Sequence, residues 1–136
     1  MKDCLFCKIA SGEFASATIF DNHEFRVILD KFPSGKGHVL ILTKEHFDDI
    51  YDMDADTAGK LFALATEVAR ALKNVLHCDG LNVLQNNGAA AGQTVMHFHL
   101  HLIPRFDGDP LDFHWPTQAF SDEVLMELAE KIGREI

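Results

Sequence analysis

The sequence Val-Met-His-Phe-His-Leu-His-Leu-Ile-Pro-Arg, residues 95–105, alternates imidazole and apolar side chains over its central six positions. Successive side chains of a β-strand point to opposite faces of the sheet. The alternation therefore predicts a strand with a polar face and an apolar face. The polar face carries His97, His99 and His101, and the apolar face carries Phe98, Leu100 and Leu102, which pack into a core.

Three imidazoles so close together have unusual acid–base properties. Rings held near one another resist being protonated at the same time. Their pKa values should be coupled and lowered, which leaves at least one ring neutral and nucleophilic near neutral pH. Two alternatives stay open, a His-rich polar face without chemistry and a catalytic metal site, because His-x-His on a strand can hold zinc.

The six-residue motif from His97 to Leu102 resembles the signature of the histidine triad (HIT) family of nucleotide hydrolases and transferases. The resemblance covers about residues 4–116. It implies an α+β fold with a five-stranded, mainly antiparallel sheet, one long helix packed on it and a C-terminal helix. It also implies a homodimer in which the sheet continues from one chain to the next.

Length and composition are those of one globular domain, residues 1–136, with 47% hydrophobic and 24% charged residues. The net charge of −9 argues against nonspecific binding to nucleic acid or anionic membranes, but a local cluster of donors can still hold a phosphate. No apolar run approaches the roughly 20 residues of a membrane span, and the N-terminus carries no evident secretory signal. We therefore expect a cytoplasmic protein.

Hydrophobic periodicity predicts the remaining elements around the histidine strand. Strands are expected at residues 18–21, 25–29, 38–43 and 81–85, a short helical turn before Gly12, and a long helix over residues 55–77 with Asp54 as its N-cap. A C-terminal helix is expected at about residues 121–134, beyond the part that the resemblance covers. The buried stripe of the long helix should contain Leu61, Leu64, Ala65, Val68, Leu72, Val75 and Leu76.

Cys4 and Cys7 form a Cys-x-x-Cys motif at the start of the chain. Spacing alone leaves a metal site, a redox pair and chance open, and a structural zinc would need two further ligands, for which His46 and His97 are available. Many bacterial members of the HIT family have such a motif near the N-terminus. The resemblance therefore implies a structural zinc on Cys4, Cys7, His46 and His97, which pins the N-terminal segment to the sheet. As a metal ligand, His97 could not be the nucleophile.

The segment from Asn86 to Thr94, rich in small residues, precedes the histidine strand and resembles the family's phosphate loop. Small residues let backbone N–H groups approach an anion closely. The resemblance implies that Asn86, Gly92, Gln93 and Thr94 bind the phosphate or the leaving group.

Further substrate contacts also follow from the resemblance. Asp30 matches the carboxylate that accepts the ribose hydroxyls, although an Asp in this loop could equally be a cap. His38 matches a histidine beside the triad, and the sequence His114-Trp115-Pro116 is similar to the tail of the Hint branch. Walls of the base pocket are expected from Phe6, Ile9, Ile28 and Phe32, each of which could instead be ordinary core.

The predicted chemistry is nucleophilic catalysis with His99 as the attacking group and His38, His97 and His101 around it. His99 attacks the α-phosphorus of a purine nucleotide conjugate and forms a nucleotidyl-histidine intermediate. Three alternatives remain: cleavage of dinucleoside polyphosphates as in the Fhit-like branch, a metallohydrolase with zinc on the triad, and a nucleotide-sensing domain without catalysis.

Overall fold

A computed structural model describes residues 3–136 of the chain and contains, within that range, a five-stranded sheet and three α-helices. In chain order the elements are α1 (Leu5–Ala10), β1 (Thr18–Asp21), β2 (Phe25–Leu29), β3 (Val39–Thr43), α2 (Ala55–Leu76), β4 (Gly80–Leu84), a 3₁₀ turn (Ala89–Ala91), β5 (His99–Arg105) and α3 (Asp122–Gly133). The strands lie in the order β1-β2-β3-β5-β4, and each neighbouring pair is antiparallel. The predicted α+β fold is confirmed.

The helix α2 covers one face of the sheet. All five residues of β3 are buried, since this strand lies between β2 and β5 and is covered on both faces. The apolar side chains of the triad segment join this core as predicted. Its members include Val27, Val39, Ile41, Phe98, Leu100 and Leu102 of the sheet side, and Leu61, Ala65, Val68 and Leu72 of α2. Val75, predicted for the same stripe, is instead 76% exposed, whereas its neighbour Leu76 packs against the core.

The opposite face of the sheet is covered by the short helix α1. Phe6 and Ala10 of α1 pack on Ile28, Leu40 and Leu42 of the central strands. This cover spans only part of the face, because α1 has six residues. His99 lies on this face against Phe6 of α1, and the ring of His101 is beside it.

The end of α2 packs closely against Gly37, which lies two residues before β3. This glycine has a positive φ of 83°, and a Cβ added there would lie 2.3 Å from Cδ1 of Leu76. The positive φ therefore favours glycine, and an added Cβ would also require the end of the Leu76 side chain to shift. At the other end of α2, the side chain of Asp54 accepts a hydrogen bond from the Thr57 N–H at 2.9 Å, as expected for an N-cap.

The histidine strand begins two residues later than the sequence pattern predicts. β5 starts at His99, and His97 lies in the bend before it. The N–H of Phe98 donates to the carbonyl oxygen of Phe47 at 2.7 Å, so the chain follows the segment after β3 rather than β3 itself. The prediction that three imidazoles share one strand face is therefore wrong for His97, although its ring still lies on the α1 side of the sheet, near Phe6.

The C-terminal helix forms as predicted, but its apolar face does not pack on the rest of the described chain. The hydroxyl of Ser121 accepts from the Val124 N–H at 3.2 Å and caps the helix. Its large apolar side chains are about half exposed: Val124, Leu125, Leu128 and Ile132. Across residues 3–136, no helix combines the length and the apolar character needed to cross a membrane.

Candidate active site

A cavity of about 970 Å³ opens on the α1 side of the sheet, between α1, the segment 14–17 and the end of β2. The four side chains predicted as base-pocket walls, Phe6, Ile9, Ile28 and Phe32, all line it. Its polar lining includes Asp30, Thr94, His99 and His101. An apolar cavity with a few convergent polar groups is the usual form of a small-molecule site.

His99 is held in one tautomer at the floor of this cavity. Its Nδ1 lies 2.7 Å from the backbone oxygen of His97, and because a carbonyl only accepts, Nδ1 must be the donor. Burial lowers the pKa of His99, while the bond to His97 and the charge of Asp30 oppose the shift. The ring is therefore neutral near neutral pH, and its Nε2 carries a free lone pair.

His38 and His101 form a hydrogen-bonded chain beside His99. The N–H of Ser34 donates to Nδ1 of His38 at 3.0 Å, so the proton of a neutral His38 is on Nε2. Nε2 of His38 lies 2.9 Å from Nδ1 of His101, which leaves His101 with its own proton on Nε2. Burial and the neighbouring His99 and His38 lower the pKa of His101 to about 4. A neutral N–H donor thus lies next to His99, with the two rings 4.9 Å apart.

Asp30 has one carboxylate oxygen engaged in the loop and the other near the histidines. Oδ1 accepts from the N–H of Phe32 at 2.9 Å, which is the capping role that the sequence left open. Oδ2 lies 3.6 Å from Nε2 of His38. Asp30, His38 and His101 bring their donor atoms within 4.8 Å of one another. Because Nε2 of neutral His38 carries a proton, this group does not offer three lone pairs to a cation.

The loop before β5 is braced by its own hydrogen bonds. The N–H groups of Ala91, Gly92 and Gln93 donate to carbonyl oxygens of Gly88 and Ala89. The buried side chain of Gln93 accepts from the Gly88 N–H at 2.7 Å and donates to the oxygens of Asp48 and Val95 at 2.7 and 3.0 Å.

Other members of the predicted phosphate loop lie around this brace. Nδ2 of Asn86 lies 3.5 Å from the oxygen of Gly92, and neither residue lines the cavity. Of the four predicted phosphate ligands, Thr94 lines the cavity. Phosphate binding by Asn86, Gly92 and Gln93 stays a prediction.

Trp115 lies outside the cavity of its own chain and is 79% exposed.

The segment before Trp115 is held by hydrogen bonds of Arg105 that the sequence did not predict. The guanidinium of Arg105 donates to both carboxylate oxygens of Asp109, at 2.9 and 2.7 Å, and to Oδ1 of Asn82 at 2.7 Å. This pairing holds the pKa of Asp109 well below its usual range. The only signal in the sequence was the four-residue spacing of Arg105 and Asp109.

A second group of side chains gathers at the N-terminal end of α1. Donor atoms of Cys4, Cys7, His46 and His97 all lie within 4.8 Å of one another. Nδ1 of His97 lies 3.4 Å from the Sγ atoms of both cysteines, and Nδ1 of His46 lies 3.3 Å from Sγ of Cys7. In a tetrahedral zinc site, bonds of 2.0–2.3 Å imply sulfur–nitrogen separations of about 3.6 Å. These spacings fit that geometry.

The hydrogen bonds around the two histidines also fit a metal centre. Nε2 of His97 donates to the backbone oxygen of Thr43 at 2.8 Å, and Nε2 of His46 donates to the carboxylate of Asp48 at 2.7 Å. Both rings therefore direct an unprotonated Nδ1 toward the cysteines, which is the arrangement that metal-ligating histidines commonly have. With both nitrogens engaged, His97 has none left for a nucleophilic role.

Comparisons with known proteins agree with this geometry. Residues 11–108 match the HIT domain family. The chain belongs to the HIT domain family. A protein of Streptococcus mutans UA159 superposes with a TM-score of 0.94 at 40% identity, over 99% of this chain and 86% of that one.

Two further relatives bear on function. An adenosine 5'-monophosphoramidase of Candida albicans is 35% identical over 138 residues, which cover 98% of this chain and 91% of the relative. A zinc-bound histidine triad family protein of Mycobacterium smegmatis has a TM-score of 0.77 and 36% identity, over 99% of both chains.

Proposed function

We propose that this protein is a nucleotide-binding hydrolase or transferase that cleaves nucleoside phosphoramidates or related conjugates through a nucleotidyl-histidine intermediate. The observation that carries the proposal is the state of His99. Its Nδ1 is committed to the oxygen of His97, so a neutral ring presents an unprotonated Nε2 at a largely apolar cavity. The phosphoramidase name of the Candida albicans relative supports the same substrate class.

The first step forms a covalent bond to the enzyme. The lone pair on Nε2 of His99 attacks the α-phosphorus, and the bond from phosphorus to the leaving nitrogen or oxygen breaks with its electron pair. The leaving group takes up a proton from the solvent, while the Nε2–H of His101, which lies beside His99, donates a hydrogen bond to the charge that develops on the phosphate oxygens. His38 keeps that proton on Nε2 of His101 by donating to Nδ1.

The second step regenerates the enzyme. Water attacks the phosphorus of the adduct, the bond from phosphorus to Nε2 breaks, and its electron pair returns to His99. A nucleoside monophosphate is released, and the proton lost by water passes to the solvent. Both steps use the same two rings, which lie 4.9 Å apart.

The same cavity provides roles for the remaining predicted residues. Phe6, Ile9 and Ile28 would contact the purine base, and Oδ2 of Asp30 would accept the ribose hydroxyls. Thr94 would donate to the phosphate, and Asn86, Gly92 and Gln93 would shape the loop beside it. Trp115 would complete the leaving-group side of a partner chain, as in the Hint branch, because it does not reach the cavity of its own chain.

Mass spectrometry after rapid quenching tests the proposal directly. The protein mixed with adenosine 5'-phosphoramidate should carry an adenylyl group on His99, whereas a folded His99→Asn variant should carry none and should not turn over. His23→Asn is the matched control, since the His23 side chain is 87% exposed and should react like the wild type. Turnover by folded His99→Asn would end the proposal.

The same measurements separate the alternatives. A faster rate with diadenosine tetraphosphate than with the phosphoramidate would favour the Fhit-like reaction. Loss of the adduct at His99 together with metal-dependent turnover would favour a metallohydrolase. Tight binding of adenosine 5'-monophosphate without any adduct in single-turnover mixing would favour a sensing domain.

We also propose a structural zinc on Cys4, Cys7, His46 and His97. The spacing and tautomers of these side chains fit a closed four-ligand site, and the zinc-bound relative supports the metal identity. Burial and the adjacent Cys4 raise the pKa of the Cys7 thiol, so a cation would have to displace its proton. When bound, zinc would tie α1 to the segment after β3, and no step of the reaction above passes through it.

The proposal extends to assembly and location. We propose a homodimer, supported by the half-exposed apolar face of α3 and by the exposed Trp115. A monomer in light scattering at micromolar concentration would contradict it. We further propose that the functional domain spans residues 1–136 and belongs to the Hint-like bacterial branch, and the cytoplasmic location stays a prediction.

A further inference from the structure

Two separate contacts join the Cys4-Cys7-His46-His97 cluster to His99. One passes through the ring of Phe6, and the other passes through the backbone oxygen of His97. The first contact joins Phe6, which lies between the two cysteines, to the ring of His99. The second joins His97, a member of the cluster, to the same ring. In the proposed function, that ring is the nucleophile.

The first contact uses the position of Phe6 between the two cysteines. Cys4 is the N-cap of α1, and its Sγ accepts from the Cys7 N–H at 3.4 Å, so the first helical turn is built around the sulfur atoms. Phe6 lies within that turn and is 8% exposed. Its ring meets the ring of His99 edge-on, with centroids 4.8 Å apart and an interplanar angle of 85°. Displacement of this turn would therefore move the Phe6 ring that packs against His99.

The second contact uses both ring nitrogens and the backbone oxygen of His97. Its Nδ1 faces the sulfur atoms, its Nε2 donates to Thr43, and its backbone oxygen accepts from Nδ1 of His99. His97 lies in the bend before β5, outside the ladder of the sheet. The peptide group that contains this oxygen is also held by the Phe98 N–H, which donates to Phe47 at 2.7 Å. The ring contacts of His97 add a second restraint on the oxygen that fixes the tautomer of His99.

We propose that Phe6 and His97 are positioning residues that couple metal occupancy of the Cys4-Cys7-His46-His97 cluster to the orientation and tautomer of His99. The inference rests on the proposed function of His99. It goes beyond the anchoring of the N-terminal segment, because it makes the rate of the first chemical step depend on a metal that does not contact substrate.

The coupling makes a different prediction from anchoring alone. If the metal only anchors the N-terminal segment, its loss should weaken nucleotide binding, because Phe6 and Ile9 line the cavity. If the metal positions His99, its loss should also lower kcat, by about 10- to 100-fold for a ring displaced by about 1 Å.

The experiment compares the zinc-loaded full-length protein with the same protein after removal of zinc by a chelator. Nitrogen-15 NMR of the histidine side chains reports the tautomer of His99 without any substrate. We expect a single Nδ1–H tautomer with zinc and a mixture of tautomers without it. The rate of adenylyl transfer to His99 should fall by about 10-fold or more, and addition of zinc should restore both signals.

Two variants on the same helix keep the test decisive if the metal-free chain unfolds. Phe6→Leu removes the edge-on ring, and Ile9→Ala removes part of the cavity wall at a residue that follows the Cys4–Cys7 turn. With zinc bound to both, Phe6→Leu should change the His99 signals and lower kcat by about 10-fold, whereas Ile9→Ala should raise KM and leave the His99 signals unchanged.

The outcomes separate this inference from the proposed function. An unchanged tautomer of His99 in the folded metal-free protein, or in zinc-loaded Phe6→Leu, would overturn the coupling even if the enzyme reacts. Absence of any adduct in the zinc-loaded wild type would overturn the proposed function, and the NMR comparison would still decide the coupling.

Discussion

Nε2 of His38 lies 2.9 Å from Nδ1 of His101, and the bond joins the residue before β3 to the middle of β5. The N–H of Ser34 fixes the direction of this bond by donating to the other nitrogen of His38. A backbone group in a loop therefore determines which nitrogen of His101 carries a proton in the cavity.

Removal of this bond should slow the proposed reaction without preventing it. In His38→Asn the shorter side chain does not reach His101, and the loss of one hydrogen bond of about 1.4 kcal/mol corresponds to a roughly tenfold lower kcat. Steady-state kinetics with a nucleoside phosphoramidate measure the change. The exposed His23→Asn should retain the wild-type rate, and an unchanged kcat in His38→Asn would remove His38 from the mechanism.

The protein should lose stability on acidification through the pKa range of its buried histidines. The pKa of His101 falls to about 4 in the folded chain, mainly through burial, against an ordinary value of 6.5. Between those values the unfolded chain binds more protons than the folded one, so the free energy of unfolding decreases as the pH falls through this window. Since part of the ring is solvated, His101 contributes about 1 to 2 kcal/mol.

Urea unfolding of the zinc-loaded protein at neutral pH and at about pH 5 measures this loss. His101→Asn carries no titrating group at this position and should lose less stability over the same interval. Equal losses in the variant and the wild type would assign the effect to other groups.

Metal binding should depend on two of the three cysteines. Native mass spectrometry should find one zinc per chain in the wild type and in Cys78→Ser, because Cys78 lies outside the four-residue cluster. Cys7→Ser should lose the metal, since a serine hydroxyl is a poor zinc ligand. Full zinc content in Cys7→Ser would contradict the assigned ligand set.

Asp30 should determine the preference for ribose over 2'-deoxyribose. Asp30→Asn can still accept the hydrogen bond from the Phe32 N–H, so the loop should keep its conformation. The lost carboxylate should reduce the ratio of kcat/KM for ribonucleotide over deoxyribonucleotide conjugates by about tenfold. The ratio is measured with paired substrates, and Lys31→Ala, at a neighbouring position of the cavity lining, serves as the control. An unchanged ratio in Asp30→Asn would exclude the ribose contact.

The core under the site should be sensitive to loss of volume. Ile41 in β3 is fully buried between α2 and the sheet, and Ile41→Ala should cost about 2 to 5 kcal/mol in the free energy of unfolding. Val75→Ala, at a position 76% exposed on α2, should change it by less than about 0.5 kcal/mol. Urea denaturation of both variants provides the comparison, and similar losses would contradict the burial of Ile41.

Sequence periodicity predicted the sheet and helices well wherever burial alone decides the structure. The bounds of β1 and β2 agree with the prediction, β3 and α2 differ by a single residue at one end, and β4 is shifted by one residue at both ends. The prediction failed where side chains pull the backbone away from regular pairing. His97 leaves the strand because its ring is held between the cysteines and Thr43, which no local pattern encodes.

The candidate site was predictable as a set of residues but not as a set of contacts. Phe6, Asp30, Thr94, His99 and His101 meet at one cavity. The direction of the bond from His38 to His101 depends on a loop amide of Ser34, and the internal use of Gln93 depends on Asp48. Such long-range hydrogen bonds follow from the folded arrangement, and periodicity carries no information about them.

β5 lies between β3 and β4 in the sheet although it is the last strand in the chain. During synthesis on a ribosome, the earlier strands emerge while the place between β3 and β4 is still empty. His99, the proposed nucleophile, is the first residue of that last strand, so a nascent chain would complete the proposed site only when β5 pairs with β3 and β4.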